Sequence, residues 1–222
     1  MMIGEERNTL YPVFLKVRNL QILIVGGGNV ALEKLTFLLK SSPDAQVELV
    51  SPFFREETIA LATRHKVKMT KKKYKPSMLK KRHIVIATTD SPKVNKRVYK
   101  GARKRFVLAN IADVPELCDF YMGGIVTKGH VKIAISTNGQ SPTTAKRLRQ
   151  FFEEVIPEDI DDMVKNINEY RKTIKGNFEQ KVEQLNEFTK GLVAPLTPKG
   201  GTPNAHDNVD KALEIQNENY KK

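Results

Sequence analysis

Ile22-Leu23-Ile24-Val25-Gly26-Gly27-Gly28-Asn29-Val30-Ala31 is the stretch from which the fold is read. An apolar run ends in three glycines, and the chain passes directly into a helical pattern of Ala31, Leu32, Leu35, Leu38 and Leu39. A strand that breaks at glycine and restarts as an amphipathic helix matches G-x-G-x-x-G/A, with Gly26, Gly28 and Ala31 at its small positions. Gly26 permits the bend, Gly28 lets the backbone approach a pyrophosphate, and Ala31 lets helix and strand pack closely. The first amides of a helix have no partner inside it, and its dipole favours an anion there. Gly26, Gly27, Gly28, Asn29 and Val30 are therefore read as a dinucleotide-binding turn. A ligand-free turn has no need of three consecutive glycines, whose ordering on folding is entropically costly.

Outward from this turn, strand and helix patterns alternate. Strands are expected at 21–25, 46–50, 67–70, 83–88 and 106–111, and helices at 29–39, 56–64 and 93–104. Pro52 and Pro92 fall where strands give way to helices, as the missing N–H of proline favours. Such alternation predicts an α/β fold, a parallel sheet with helices on both faces. After Asp113 the pattern changes. Residues 123–136 read as two strands turned at Lys128-Gly129, 136–142 as a polar loop, and most of the chain from Thr143 to Gly191 as helical. Pro195, Pro198, Gly200, Gly201 and Pro203 break up the segment beyond Leu192, and 208–220 suits a short helix. The expected division is 1–113, a nucleotide-binding domain; 114–150, a small α+β region; 151–192, a helical domain; and 193–222, a linker and tail.

The 222 residues carry a formal net charge of +13, concentrated between Arg64 and Phe106, where 17 Lys or Arg face one acid, Asp90. Such a field concentrates polyanions, whether nucleic acids, phospholipid surfaces or small polycarboxylates, and is equally compatible with a solvated lysine-rich surface. Tyr74 is a single aromatic among these lysines, whereas single-strand nucleic-acid binders present several stacking platforms. One cysteine, Cys118, excludes an internal disulfide framework; it reads as a small hydrophobe rather than a nucleophile. The four histidines have no metal-ligand spacing, among themselves or with Cys118, so no protein-held metal is expected. No apolar run reaches the ~20 residues of a membrane span, and the amino terminus lacks a signal core. The sequence therefore points to a cytoplasmic protein.

Five landmarks now stand in order: Tyr11-Pro12-Val13-Phe14, the glycine turn, Ala87-Thr88-Thr89-Asp90 with Asn95, the run from Asn110 to Phe120, and Ala134-Ile135-Ser136-Thr137-Asn138-Gly139-Gln140-Ser141-Pro142. Over residues 11–157 the chain resembles the precorrin-2 dehydrogenase and sirohydrochlorin ferrochelatase family, which includes the amino-terminal module of siroheme synthase. The resemblance implies a homodimer with a Rossmann-like NAD-binding domain, a central dimerisation region at 114–150 and a helical carboxy-terminal region. The implied reaction removes two hydrogens from the tetrapyrrole precorrin-2, passing hydride to NAD and giving sirohydrochlorin. Some members then insert ferrous iron.

By the same resemblance Asp113 is the catalytic candidate, since dehydrogenation needs a proton acceptor and metallation needs pyrrole nitrogens deprotonated. Capping a turn before Pro115 is the ordinary alternative. Thr88, Thr89 and Asp90 end a strand at the edge where the cofactor lies; helix capping through Asp90 or Ser91 is compatible with that role. Asn110, Ser136, Thr137 and Ser141 are the substrate-binding candidates, with Thr137 and Asn138 standing where serine and glycine are common in the family. The acid that reads the adenine ribose is not in its usual place. Glu48 sits inside its strand, Ser51 occupies the expected position, and the spacing leaves NADP open beside NAD, with Arg55 nearby. Two other classes remain open: a non-catalytic NAD-sensing module, which leaves the runs 110–120 and 136–142 unexplained, and a basic nucleic-acid-binding protein.

Overall fold

In a computed structural model of the protein, residues 8–189 are described; the tail expected at 193–222 and the helix at 208–220 lie outside them. The chain groups into two compact units, Met1–Asp162 and Met163–Lys222.

In the first unit five strands, β1 (Gln21–Val25), β2 (Gln46–Val50), β3 (Lys68–Thr70), β4 (Ile84–Ala87) and β5 (Leu108–Ile111), form one parallel sheet in the order β3-β2-β1-β4-β5. Helices α1 (Asn29–Ser41), α2 (Glu56–Arg64) and α3 (Pro92–Arg103) make three of the four crossovers, and a short 3-10 turn, Pro76–Leu79, lies in the one from β3 to β4. Successive strand residues point to opposite faces. Ile22 and Ile24 accordingly pack with Leu35 and Leu39 of α1 and Ala62 of α2, while Leu23 and Val25 pack with Val98 and Ala102 of α3. Both faces are thus covered, the arrangement a parallel sheet requires, and each fully buried Leu or Ile contributes about 1.5–3 kcal/mol.

Polar side chains fasten the sheet. Glu48, buried in β2, pairs with Arg82 ahead of β4 and with Lys68 at 3.3 Å, and accepts the Thr70 hydroxyl at 2.6 Å. Burial opposes its ionisation, but these donors and charges outweigh it and hold the carboxyl below the ordinary value. Tyr74 is buried under α3 with its hydroxyl unpartnered, close to the backbone of Gly101. Helix α3 ends with Val107 donating to the Ala102 carbonyl at 3.1 Å, which puts Phe106 in the left-handed region at φ +56°. That position favours glycine, yet Phe106 fills it with a side chain 97% exposed.

Beyond β5 the chain turns back. Asp119 N–H donates to the Ala109 carbonyl at 2.7 Å, and its carboxylate accepts from Ala109 N–H at 2.9 Å and from Arg103 at 3.1 Å. The hairpin β6 (Gly124–Lys128) and β7 (Val131–Ile135) is antiparallel, and α4 (Pro142–Val155) packs on it. The Lys132 ammonium of β7 donates to Ser41, at the carboxyl end of α1. The turn residue His130 meets Asp161, near the start of α5 (Ile160–Thr173), at 2.6 Å.

In the second unit α6 (Phe178–Thr189) opens with a capping box: Asn177 accepts from Gln180 N–H at 2.9 Å, and the Gln180 side chain accepts from Asn177 N–H at 3.1 Å.

Candidate functional site

All five strands run the same way, so everything that follows a strand arrives at one rim: the glycines after β1, Ser51 after β2, Lys71 after β3, Thr88 after β4 and Asp113 after β5. The strand order reverses direction at β1, the topological switch point where open α/β sheets bind ligands. Gly26 N–H donates to Val50 O at 2.9 Å and Thr88 N–H to Val25 O at 2.8 Å, so the turn is wired to both neighbouring strands.

The three glycines do three different things. Gly26 has φ +141°, and a Cβ there would overlap the Thr88 hydroxyl and lie 2.9 Å from the Thr88 carbonyl oxygen. At Gly27 a Cβ would run into the Phe53 carbonyl and come within 2.8 Å of the Phe54 ring. Gly28 has an ordinary extended φ, and a Cβ there would meet nothing within 4 Å. The first two are demanded by packing; the third leaves open space in front of the α1 amides. Those amides have no side-chain cap, and no acid stands in the first turn of the helix. The cradle suits the pyrophosphate of a dinucleotide, bound through backbone donors at the positive end of a helix dipole. Asn29 is exposed and Val30 half-buried beside it, while Ala31 is fully buried against the sheet.

Thr88 is buried and its hydroxyl donates to Val25 O at 3.1 Å. Thr89 is tied to Asn95: its hydroxyl lies 2.7 Å from Asn95 Oδ1, and Asn95 Nδ2 donates to Thr89 O at 2.8 Å. Ser91, not Asp90, caps α3, accepting from Val94 N–H at 3.4 Å; Asp90 is exposed. Ser51 is buried, its hydroxyl accepting from Phe53 N–H at 3.4 Å.

Asp113 stands two residues beyond β5, on the same rim as the glycine turn. It lies in a turn closed by Val114 N–H to Ile111 O at 3.2 Å and adopts φ +61°, a conformation aspartate tolerates better than most residues. Its side chain is exposed, and among the described residues none donates to its carboxylate. The turn is held from behind by Cys118, whose Sγ accepts from Ile111 N–H at 3.2 Å and lies 3.4 Å from Val114 O. Burial, aided by the nearby Asp119 and Glu116 charges, raises the thiol above its ordinary value. Asn110 is buried, its amide donating to Phe120 O at 2.8 Å.

In the loop before α4, Thr137 and Ser141 satisfy each other: the Thr137 hydroxyl accepts from Ser141 N–H at 3.2 Å and donates to Ser141 O at 3.1 Å. Ser141 also caps α4, accepting from Thr144 N–H at 3.1 Å. Ser136 is exposed, with its hydroxyl on Asn138 N–H at 3.2 Å. The structure thus brings the glycine turn, Ser51, Thr88, Thr89, Asp90 and Asp113 to one rim, whereas Ser136, Thr137 and Ser141 belong to the loop between β7 and α4. Sequence reasoning marked Asn95 as a landmark but not its clamp on Thr89, and it missed Phe53 and Phe54, which close over Gly27 and leave no local signal beyond an ordinary apolar pair.

The basic residues divide between two rims. Lys71, Lys72 and Lys73 follow β3 on the cofactor side, whereas Lys80 and Lys81 precede β4, and Lys100, Lys104 and Arg105 lie where α3 returns to β5, at the opposite rim.

Sheet order, glycine turn and switch point together define a dinucleotide-binding α/β protein. A family model described as "Putative NAD(P)-binding" matches residues 13–124, and one described as "Sirohaem biosynthesis protein central" matches 128–154. The siroheme synthase of Pseudoalteromonas translucida is 32% identical over 211 residues, 93% of this chain and 44% of that protein. That of Nitrosococcus oceani is 35% identical over 164 residues, 74% of this chain and 35% of that protein. The chain belongs to the siroheme synthase family. It spans less than half the length of these relatives. A solved structure, "SirC, precorrin-2 dehydrogenase", shares the fold with TM-score 0.65 and 24% identity, covering 81% of this chain and 89% of that one. Among the described residues no helix is long and apolar enough to cross a membrane.

Proposed function

We propose that this chain dehydrogenates precorrin-2 to sirohydrochlorin, using NAD held at the glycine turn. The observation that carries the reading is the shared rim: Asp113, with an unpartnered carboxylate, stands at the same edge as the open cradle over Gly28. Bound NAD supplies the hydride acceptor. Backbone amides from Gly28 to Val30 hold the phosphates, Thr89 and Asp90 flank the nicotinamide side, and Asp113 takes the proton released as the hydride leaves. The buried Thr88 shapes the crevice through Gly26. Asn110 acts through the Phe120 carbonyl, setting the strand end that precedes Asp113, and Ser136, Thr137 and Ser141 face the substrate from the loop before α4. Lys71 to Lys73 draw the polycarboxylate substrate towards this rim.

The working unit is a homodimer with 114–150 as its central contact. Helix α4 supports this: it has no buried residue, and Leu148, Phe151 and Val155 line one exposed face at helical spacing. A two-stranded hairpin also gains little stability alone. The protein works in the cytoplasm, in keeping with a single thiol.

The test is incubation of purified protein with precorrin-2 and NAD, followed by absorbance. Turnover is expected, and Asp113→Asn, which keeps the backbone conformation, lowers it by about 10²–10⁴-fold while NAD still binds. Cofactor binding without turnover by the unaltered protein indicates a sensing module; neither binding nor turnover overturns the reading. Adding ferrous iron to sirohydrochlorin with the same two proteins tests whether Asp113 also serves metal insertion.

A further inference from the structure

The rim opposite the glycine turn carries a charged corner that the proposed reaction does not use. Leu108 N–H donates to the His83 carbonyl at 3.0 Å, which sets the residues entering β4 beside those entering β5. Five exposed cations collect there: Lys80 and Lys81 ahead of β4, and Lys100, Lys104 and Arg105 where α3 returns to β5. Among the described residues no acid pairs with any of the five, and the acid that returns to this corner, Asp119, is engaged by Arg103 and by Ala109 N–H. The dipole of α3 leaves about half a negative charge at its end, which Lys100 and Arg103 in the last turn already meet. It does not account for the rest.

Two residues of the corner hold a backbone that favours glycine. Lys81 has φ +61° and Phe106 φ +56°, left-handed conformations that strain any residue with a Cβ. Neither side chain recovers that strain by packing: Lys81 is exposed, and Phe106 stands free with the partly exposed Leu108 two residues on. Strain that the fold does not need points to a role outside it. A free aromatic ring among lysines matches a water–lipid boundary, where the ring enters the apolar layer and the ammonium groups meet anionic headgroups. Other occupants fit less well. Protein interfaces are depleted in lysine, which supplies four of these five cations. A second copy docked through the same corner would set like charges against each other, and single-stranded nucleic acid asks for several stacking rings where this corner offers Phe106.

We infer that this corner docks the protein on an anionic lipid surface, with Phe106 inserted and the five cations on the headgroups, which leaves the glycine turn and Asp113 on the rim turned away from the lipid. The inference does not depend on the proposed reaction. Co-sedimentation of the full chain with vesicles tests it. Binding to phosphatidylcholine vesicles holding about 30% phosphatidylglycerol is expected to be at least about tenfold tighter than to phosphatidylcholine alone, and to fall away as salt rises from about 0.05 to 0.5 M. Each lysine near such a surface is worth about fivefold in partition, so Lys80→Gln combined with Lys104→Gln weakens binding by about 25-fold. Phe106→Gly weakens it by about tenfold at unchanged charge, while unfolding no earlier than the unaltered protein. Equal binding to the two vesicles, binding to neither, or a Phe106→Gly protein that partitions as the unaltered one does overturns the inference. So does a single-stranded oligonucleotide of about 20 nucleotides that binds more tightly than the anionic vesicles and displaces them, or an oligomer that Phe106→Gly dissociates in light scattering.

Discussion

Adding one methyl group at Gly28 separates a glycine kept for a ligand from one kept for packing. Gly28 caps α1 with φ −89° and ψ −161°, which any residue adopts, and a Cβ there meets nothing within 4 Å. Gly28→Ala loses a favourable cap residue but reduces the freedom of the unfolded chain, so stability changes by less than about 1 kcal/mol. The same methyl projects into the space assigned to the pyrophosphate. Losing one charge-assisted hydrogen bond there is worth about 1.5–3 kcal/mol, a rise of roughly 10- to 100-fold in Kd for NAD. Gly27→Ala is the control with the opposite outcome: its Cβ meets the Phe53 carbonyl and sits 2.8 Å from the Phe54 ring. Overpacking of that kind costs about 1–3 kcal/mol and lowers Tm by roughly 2–4 °C per kcal/mol in a chain of this size. Thermal unfolding without ligand and calorimetric titration with NAD read the two effects separately. A Gly28→Ala protein that binds NAD as the unaltered one does, or that unfolds as early as Gly27→Ala, would refute the assignment of that space to the phosphates.

Glu48→Gln is expected to destabilise the protein by about 1–3 kcal/mol, because it strands Arg82 against the sheet. The carboxyl is held below its ordinary value in the folded state, so its contribution is full above the unfolded value and lost as pH falls through the folded one. Urea midpoints of the two proteins should therefore differ at pH 7 and converge only as pH falls below the ordinary carboxylate range. Tyr74→Phe removes a buried, unpartnered hydroxyl and should stabilise by about 1 kcal/mol; an unchanged or lower midpoint contradicts the account. Phe106→Gly relieves a left-handed residue whose ring touches little, and should raise stability by about 1 kcal/mol in the same measurement. Cys118, its thiol raised by burial, should react with iodoacetamide at pH 7.5 more slowly than a free cysteine; equal rates exclude the backbone staple described for it.

Much of the sheet is legible because its signals are local. The runs 21–25 and 46–50 and the helix at 56–64 have the same limits in sequence and structure, being bounded by glycine, proline or charge. The strands expected at 83–88 and 106–111 are shorter, Ile84–Ala87 and Leu108–Ile111, since parallel pairing with each other and with β1 sets their ends. The structure describes the hairpin near its expected turn and starts α4 one residue before Thr143, at Pro142. Within the site, the glycine turn and the rim position of Asp113 follow from strand order alone. What Asn110 and Thr88 touch does not: their partners, Phe120 and Val25, are ten and 63 residues away in the chain, and no spacing rule reaches them. Glu48 shows the same limit from the other side. Its distance from the glycines suits the ribose, but the partner that claims it, Arg82, lies 34 residues on.

Helix α1 is claimed at both poles. Its positive end opens on the space over Gly28, and its negative end receives the Lys132 ammonium from the hairpin, about 20 Å away along a rod of 13 residues. The same 13-residue rod that opens on that space therefore also moors the hairpin on which α4 packs. One helix thus carries on its first turn the amides that face the glycine bend and on its last turn the point where the hairpin is tied.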